Sequence, residues 1–66
     1  MSEDIGARVQ RGRVISVSPE GVIVQSEETG IPTLHIRNLL PTDPALESWV
    51  LFVEYKDGEG AVIALL

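Results

Sequence analysis

Two apolar runs dominate the C-terminal third of the chain, residues 49–53 (Trp-Val-Leu-Phe-Val) and residues 61–66 (Ala-Val-Ile-Ala-Leu-Leu). Glu54 and Tyr55 lead from the first into the turn Lys56-Asp57-Gly58-Glu59-Gly60, which carries two glycines. Apolar runs on either side of a short glycine-bearing turn predict a β-hairpin. Upstream the runs are shorter and mixed with polar residues. Residues 8–17 predict a first strand whose alternation slips: Ile15 and Val17 share one face, while Val14 lies on the other with Gly12. A glycine at such a phase break predicts a bulge or a bend there. Ser18-Pro19-Glu20-Gly21 reads as a turn, with Pro at its second position and Gly at its fourth. Residues 21–26 predict a second strand, with Val22 and Val24 on one face and Ile23 and Gln25 on the other. Residues 33–37 alternate most cleanly, which predicts a third strand with Leu34 and Ile36 inward and Thr33, His35 and Arg37 outward.

The connection over residues 39–48 contains Asp43 followed by Pro44, an N-cap acceptor before a proline at the first helical position. It predicts one short helical turn from Pro44 to about Glu47, with Leu39, Leu40 and Leu46 plugging one end of a barrel. Residues 1–7 predict a flexible arm and residues 8–66 a single β-barrel domain. The expected fold class is therefore all-β: a small five-stranded OB-like barrel, alternatively SH3-like, with one short helical turn between strands 3 and 4.

Length and composition narrow the function. A 66-residue domain buries only about 60% of the surface its unfolded chain exposes, so such folds often rely on disulfides, a metal or a partner. The chain has no Cys, one His and no metal-ligand spacing, so no cofactor is expected. Ten acids against five bases give a net charge of −5, which argues against general nucleic-acid binding and against anionic membranes. No apolar run reaches the ~20 residues of a membrane-spanning helix. The acidic start, Met1-Ser2-Glu3-Asp4, predicts no signal peptide and a cytoplasmic site of synthesis.

Catalysis would need a nucleophile beside a base, or paired carboxylates in a pocket. His35 is the one candidate base at neutral pH and reads as an exposed strand histidine. Asp57-Gly58-Glu59-Gly60 lacks the spaced oxygens of a calcium loop. The expectation is a protein without enzymatic activity. The exception to the acidic balance is the arginine cluster. Arg11, Arg13, His35 and Arg37 are the candidate nucleic-acid contacts of an alternative OB-type RNA- or ribosome-binding reading.

The hairpin bears on partners. Strands with one face in water alternate, whereas these two do not, so their outer faces call for cover. Trp49, Leu51, Tyr55, Ile63, Leu65 and Leu66, with Leu39 and Leu40 from the connection, are the candidate interface residues. Trp49 and Tyr55 share a strand face with Leu51 and Val53 and read either as core or as interface anchors.

The stretch Arg11-Gly12-Arg13-Val14-Ile15-Ser16-Val17-Ser18-Pro19-Glu20-Gly21-Val22-Ile23-Val24 resembles the opening of the OB domain in phage baseplate and tail-spike proteins. Trp49-Val50-Leu51-Phe52, Asp57-Gly58 and Val62-Ile63 resemble that domain's closing hairpin. Leu46-Glu47-Ser48 stands where the family has a Pro-x-x-Gly-Glu/Asp. The resemblance implies a virion component, such as a baseplate, tail hub, head-to-tail connector or capsid-associated subunit. It implies other virion or assembly proteins as partners, a homo-oligomer or repeated subunit, and a virion location after synthesis. Gly12-Arg13-Val14 and Val53-Glu54-Tyr55 also resemble bacterial translation initiation factor one, a family whose ribosome binding uses many bases that this acidic chain lacks.

Overall fold

A computed structural model describes residues 7–66; the expected arm lies outside the described residues, apart from Ala7. The described chain is all-β: β1 (Ala7–Ser18), β2 (Gly21–Ser26), β3 (Arg37–Asn38), β4 (Trp49–Tyr55) and β5 (Gly60–Leu65). They form one curled sheet in the order β2-β1-β4-β5-β3. β1 pairs antiparallel with both β2 and β4, while β3 runs parallel to β5. Isolated bridges Val22↔Ile36 and Gln25↔Pro32 then tie the far edge of β2 to the segment leading into β3. The sheet curls in this way into a small barrel-like fold, and its parallel β3–β5 pair sets it apart from an all-antiparallel meander.

β1 turns from one partner to the other at Gly12, which faces Ser26 on β2 and Val50 on β4. A Cβ built there would lie 2.5 Å from Val24 Cγ1, 2.7 Å from the Gln25 carbonyl oxygen and 2.8 Å from Phe52 Cε1. Of the bulge or bend expected at this glycine, the bulge does not lie here, and the glycine marks a crossing under Phe52 where β1 passes between its two partners. The bulge falls three residues later, between Val14 and Ser16, where Ile15 is the extra residue. It puts Val14 and Val17 on the core side together and turns Ile15 outward, which corrects the expected pairing of Ile15 with Val17. β5 has the matching irregularity at Ile63, between the pairs Leu51↔Ala64 and Phe52↔Val62.

The core is Val14, Val22, Val24, Ile36, Val50, Phe52 and Val62, with Val17 and Leu40 packed against it. β-branched residues suit it, since each strand gives one alternate set of side chains to a narrow interior. At one end the interior is polar. Ser26 Oγ donates to Gln10 Oε1 at 2.7 Å, and Gln10 Nε2 reaches Glu54 Oε1 at 3.5 Å.

The third strand departs most from expectation. Only Arg37 and Asn38 form it, and residues 31–36 follow β2 irregularly. Thr33, expected outward, is buried, and Leu34, expected inward, is 67% exposed. The reason is a hydrogen bond. Thr33 Oγ1 accepts the Val24 N–H at 3.1 Å, while the Thr33 N–H donates to the Val24 carbonyl at 2.9 Å. The hydroxyl replaces a missing ladder carbonyl, and a buried N–H without an acceptor is costly.

The expected helical turn does not form. Residues 45–48 make a tight turn closed by Ser48 N–H to the Ala45 carbonyl at 3.2 Å, with Glu47 at φ 68°. The Glu47 N–H donates to the Val14 carbonyl at 2.6 Å and the Val14 N–H to the Ser48 carbonyl at 3.0 Å, so β1 captures the backbone a helix would have used. Leu40 reaches the core as expected of a plug, but Leu39 and Leu46 are exposed.

Two substitutions test this account. Gly12→Ala forces a methyl into the β1 crossing and is expected to lower unfolding free energy by roughly 1–3 kcal/mol in urea melts. Thr33→Val keeps the shape and removes the acceptor for Val24. It is expected to lose about 1–3 kcal/mol, whereas Thr33→Ser retains most of the stability.

Candidate docking face of β1, β4 and β5

Directly paired residues on neighbouring strands share a face. Val50 and Phe52 point into the core, so Trp49, Leu51, Val53 and Tyr55 point out. Their partners on β1 are Arg13, Arg11, Val9 and Ala7. On β5, Ala64 lies opposite Leu51. Leu66 continues that register, its N–H donating to the Trp49 carbonyl at 3.1 Å. The outer face of the barrel thus carries Val9, Trp49, Leu51, Val53, Ala64 and Leu66 in neighbouring rows, with Val9 and Leu66 each 61% exposed. Trp49 and Tyr55 belong to this face and only Phe52 among the large aromatic side chains is core, so of the two expected readings of Trp49 and Tyr55 the core one does not hold.

At one end of the stripe two arginines lie against the indole. The Arg11 guanidinium carbon lies 5.2 Å from the Trp49 ring centroid and that of Arg13 lies 4.9 Å away. Arginine stacks on an aromatic face with its planar group and covers apolar surface with its stem. Trp49 is half-buried as a result, although it faces away from the core. The two cations differ in their further contacts. Arg11 grips Glu27 with two nitrogens, Nε to Oε1 at 3.0 Å and Nη2 to Oε2 at 3.1 Å. Arg13 meets no carboxylate among the described residues.

The other sequence-based candidates do not converge here. Ile63 is the exposed bulge residue of β5, and Leu65, paired with Val50, lies on the core side at the open end of the strand. Leu39 is exposed beside β5, and Leu40 packs on the core. Arg37 on β3 pairs with Ala61 and is three strands away from Arg13. His35 lies beside the β1–β2 turn, with Nε2 3.6 Å from Glu20 Oε1. Arg8 pairs with Glu28. A groove of about 640 Å³ runs between the β1–β2 turn and the chain after β3, and its lining includes Arg37, Glu20 and Asp43. The arginines therefore do not form a continuous phosphate track: two meet acids, and the two sides of the barrel separate the rest.

The stack was not visible in the sequence, because it depends on which strand lies beside β1. Arg11 and Arg13 at a spacing of two do announce a shared face. The register Arg13↔Trp49 supplies the ring.

The lone tryptophan makes the stack measurable. Arg13→Ala is expected to shift Trp49 emission to the red as the ring gains water, with a stability loss of about 0.5–1 kcal/mol. Arg8→Ala, on the other side of the strand, is expected to leave the emission unchanged.

Against this geometry, comparison with protein-family models, with characterised proteins and with solved structures finds no match.

Proposed function

We propose that the protein is a non-catalytic assembly module that works through protein–protein contact, with the outer face of β1, β4 and β5 as its docking surface. A phage virion component is the specific setting that the baseplate and tail-spike resemblance implies. One observation carries the reading. The outward positions of β4, which in a free-standing barrel would be polar, are Trp49, Leu51 and Val53, opposite Val9 and Ala64. A face of this kind, apolar along its length with tryptophan and arginine at one end, has the side-chain types that dominate binding energy in protein interfaces.

The competing OB-type nucleic-acid reading would use the same arginines. It is less well supported, because Arg11 is already bound to Glu27 and Leu51, Val53 and Val9, next along the stripe from Trp49, are aliphatic. Bases stack on aromatic rings in such barrels, and of the two rings on this face Trp49 is already stacked with Arg11 and Arg13.

Light scattering on eluting protein and anisotropy of a fluorescent single-stranded oligonucleotide separate the two readings. The expected result is a discrete oligomer that persists at high salt, with flat anisotropy at micromolar protein. A rise in anisotropy that falls steeply with salt and quenches Trp49 would replace the assembly reading with the nucleic-acid one.

A further inference from the structure

We propose that the occupant of this face is a second copy of the chain, arranged about a two-fold axis that sets Glu47 of each copy against Arg13 of the other. The inference rests on the docking-face reading above and adds the identity of the partner and the contact that orients it.

In a chain of net charge −5, copies repel one another unless a contact brings a cation to an anion. Among the described residues, Arg8 and Arg11 already have their carboxylates, and Arg13 does not. Arg13 is nonetheless held in place by the Trp49 ring. A guanidinium fixed in advance gives up little freedom when a carboxylate arrives.

The matching anion is on the same molecule. Glu47 is exposed and meets no cation among the described residues, and it sits at the tip of the turn over residues 45–48. Three bonds fix that tip: Glu47 N–H to the Val14 carbonyl, Ser48 N–H to the Ala45 carbonyl, and Ser48 Oγ to the Ala45 carbonyl at 2.6 Å. The backbone of Glu47 is left-handed, at φ 68°, a conformation that a non-glycine residue keeps only where its surroundings impose it. Beside it Leu46 is 62% exposed. The turn is thus a fixed knob with one aliphatic and one carboxylate side chain.

Knob and clamp are neighbours. The Glu47 N–H bonds to Val14, the residue after Arg13, and Trp49 follows two residues later. Yet Glu47 and Arg13 of one chain form no ion pair. When two complementary features lie side by side on one surface, a two-fold axis between them places each on its counterpart in the other copy. The same contact would bury Ile15, Leu46 and Leu66 around Trp49, all of them exposed in the single chain. The apolar area supplies the attraction, and the two Arg13–Glu47 pairs set the orientation.

Charge exchange tests it. Arg13→Glu and Glu47→Arg each place like charges opposite one another twice in a homodimer. Each is expected to weaken dimerisation at least tenfold in sedimentation equilibrium while far-UV circular dichroism stays native. An equimolar mixture of the two pairs Glu with Arg and Arg with Glu at both contacts, and is expected to restore the dimer, as is the double variant. Arg13→Gln, which removes the charge without reversing it, is expected to give an intermediate constant. A wild type that stays monomeric at millimolar concentration, single variants that dimerise like wild type, or a mixture that fails to recover would each overturn the self-contact. A monomeric wild type would also remove the oligomer expected of the docking face, whereas failure confined to the charge variants or their mixture overturns the two-fold contact alone, and oligonucleotide binding at Trp49 overturns the docking-face reading itself.

Discussion

One strand has to serve two neighbours at once, and the rest of this barrel depends on how it manages that. β1 is twelve residues long and pairs along both edges, with β2 on one side and β4 on the other. A strand in that position must pass beneath the largest core side chain, Phe52, while still feeding hydrogen bonds to both partners. Only a residue without a Cβ fits at Gly12, where the valine of β2 and the phenylalanine of β4 already close the space. Three residues on, the bulge at Ile15 restores Val17 to the interior. Without the crossing and the bulge, β2 and β4 could not face the same core.

The core so made is thin. Five of its seven buried members are valines, and one end of the interior is held by Gln10, Ser26 and Glu54 rather than by hydrocarbon. Small domains bury a low fraction of their surface, so each apolar group left outside weighs more than it would in a larger protein. Cover for Trp49, Leu51 and Val53 on the outer face would add to stability as well as to recognition. The arginine stems over the indole give that face a partial lid of its own.

Much of this was legible in the residues. Four of the five strands follow from apolar runs and glycine turns, and the hairpin of β4 and β5 lies where its pattern places it. What the pattern misjudged has particular causes. Residues 33–37 alternate like a strand, yet Thr33 turns inward because a hydroxyl can stand in for a backbone acceptor at an irregular edge. Asp43-Pro44 is a sound helix start, yet Val14 of a distant strand claims the carbonyl and amide of the following turn. Local preference lost to long-range pairing in both places. Trp49 is the instructive residue of the candidate site: its size suggests interior, whereas its parity with Val50 and Phe52 fixes it outside. Its two cation neighbours depend on register, which no single strand reveals.

The two bulges have a consequence for how the chain avoids misassembly. Strands rich in valine at every second position can slide by two residues and still bury valine, so their alignment is weakly specified by hydrophobicity alone. Ile15 in β1 and Ile63 in β5 break that translational equivalence at one point in each ladder. A slipped alignment would carry the irregularity to a place where the opposite strand has no matching bend. The extra residues thus act as alignment keys, raising the energy of sheets shifted from the native register.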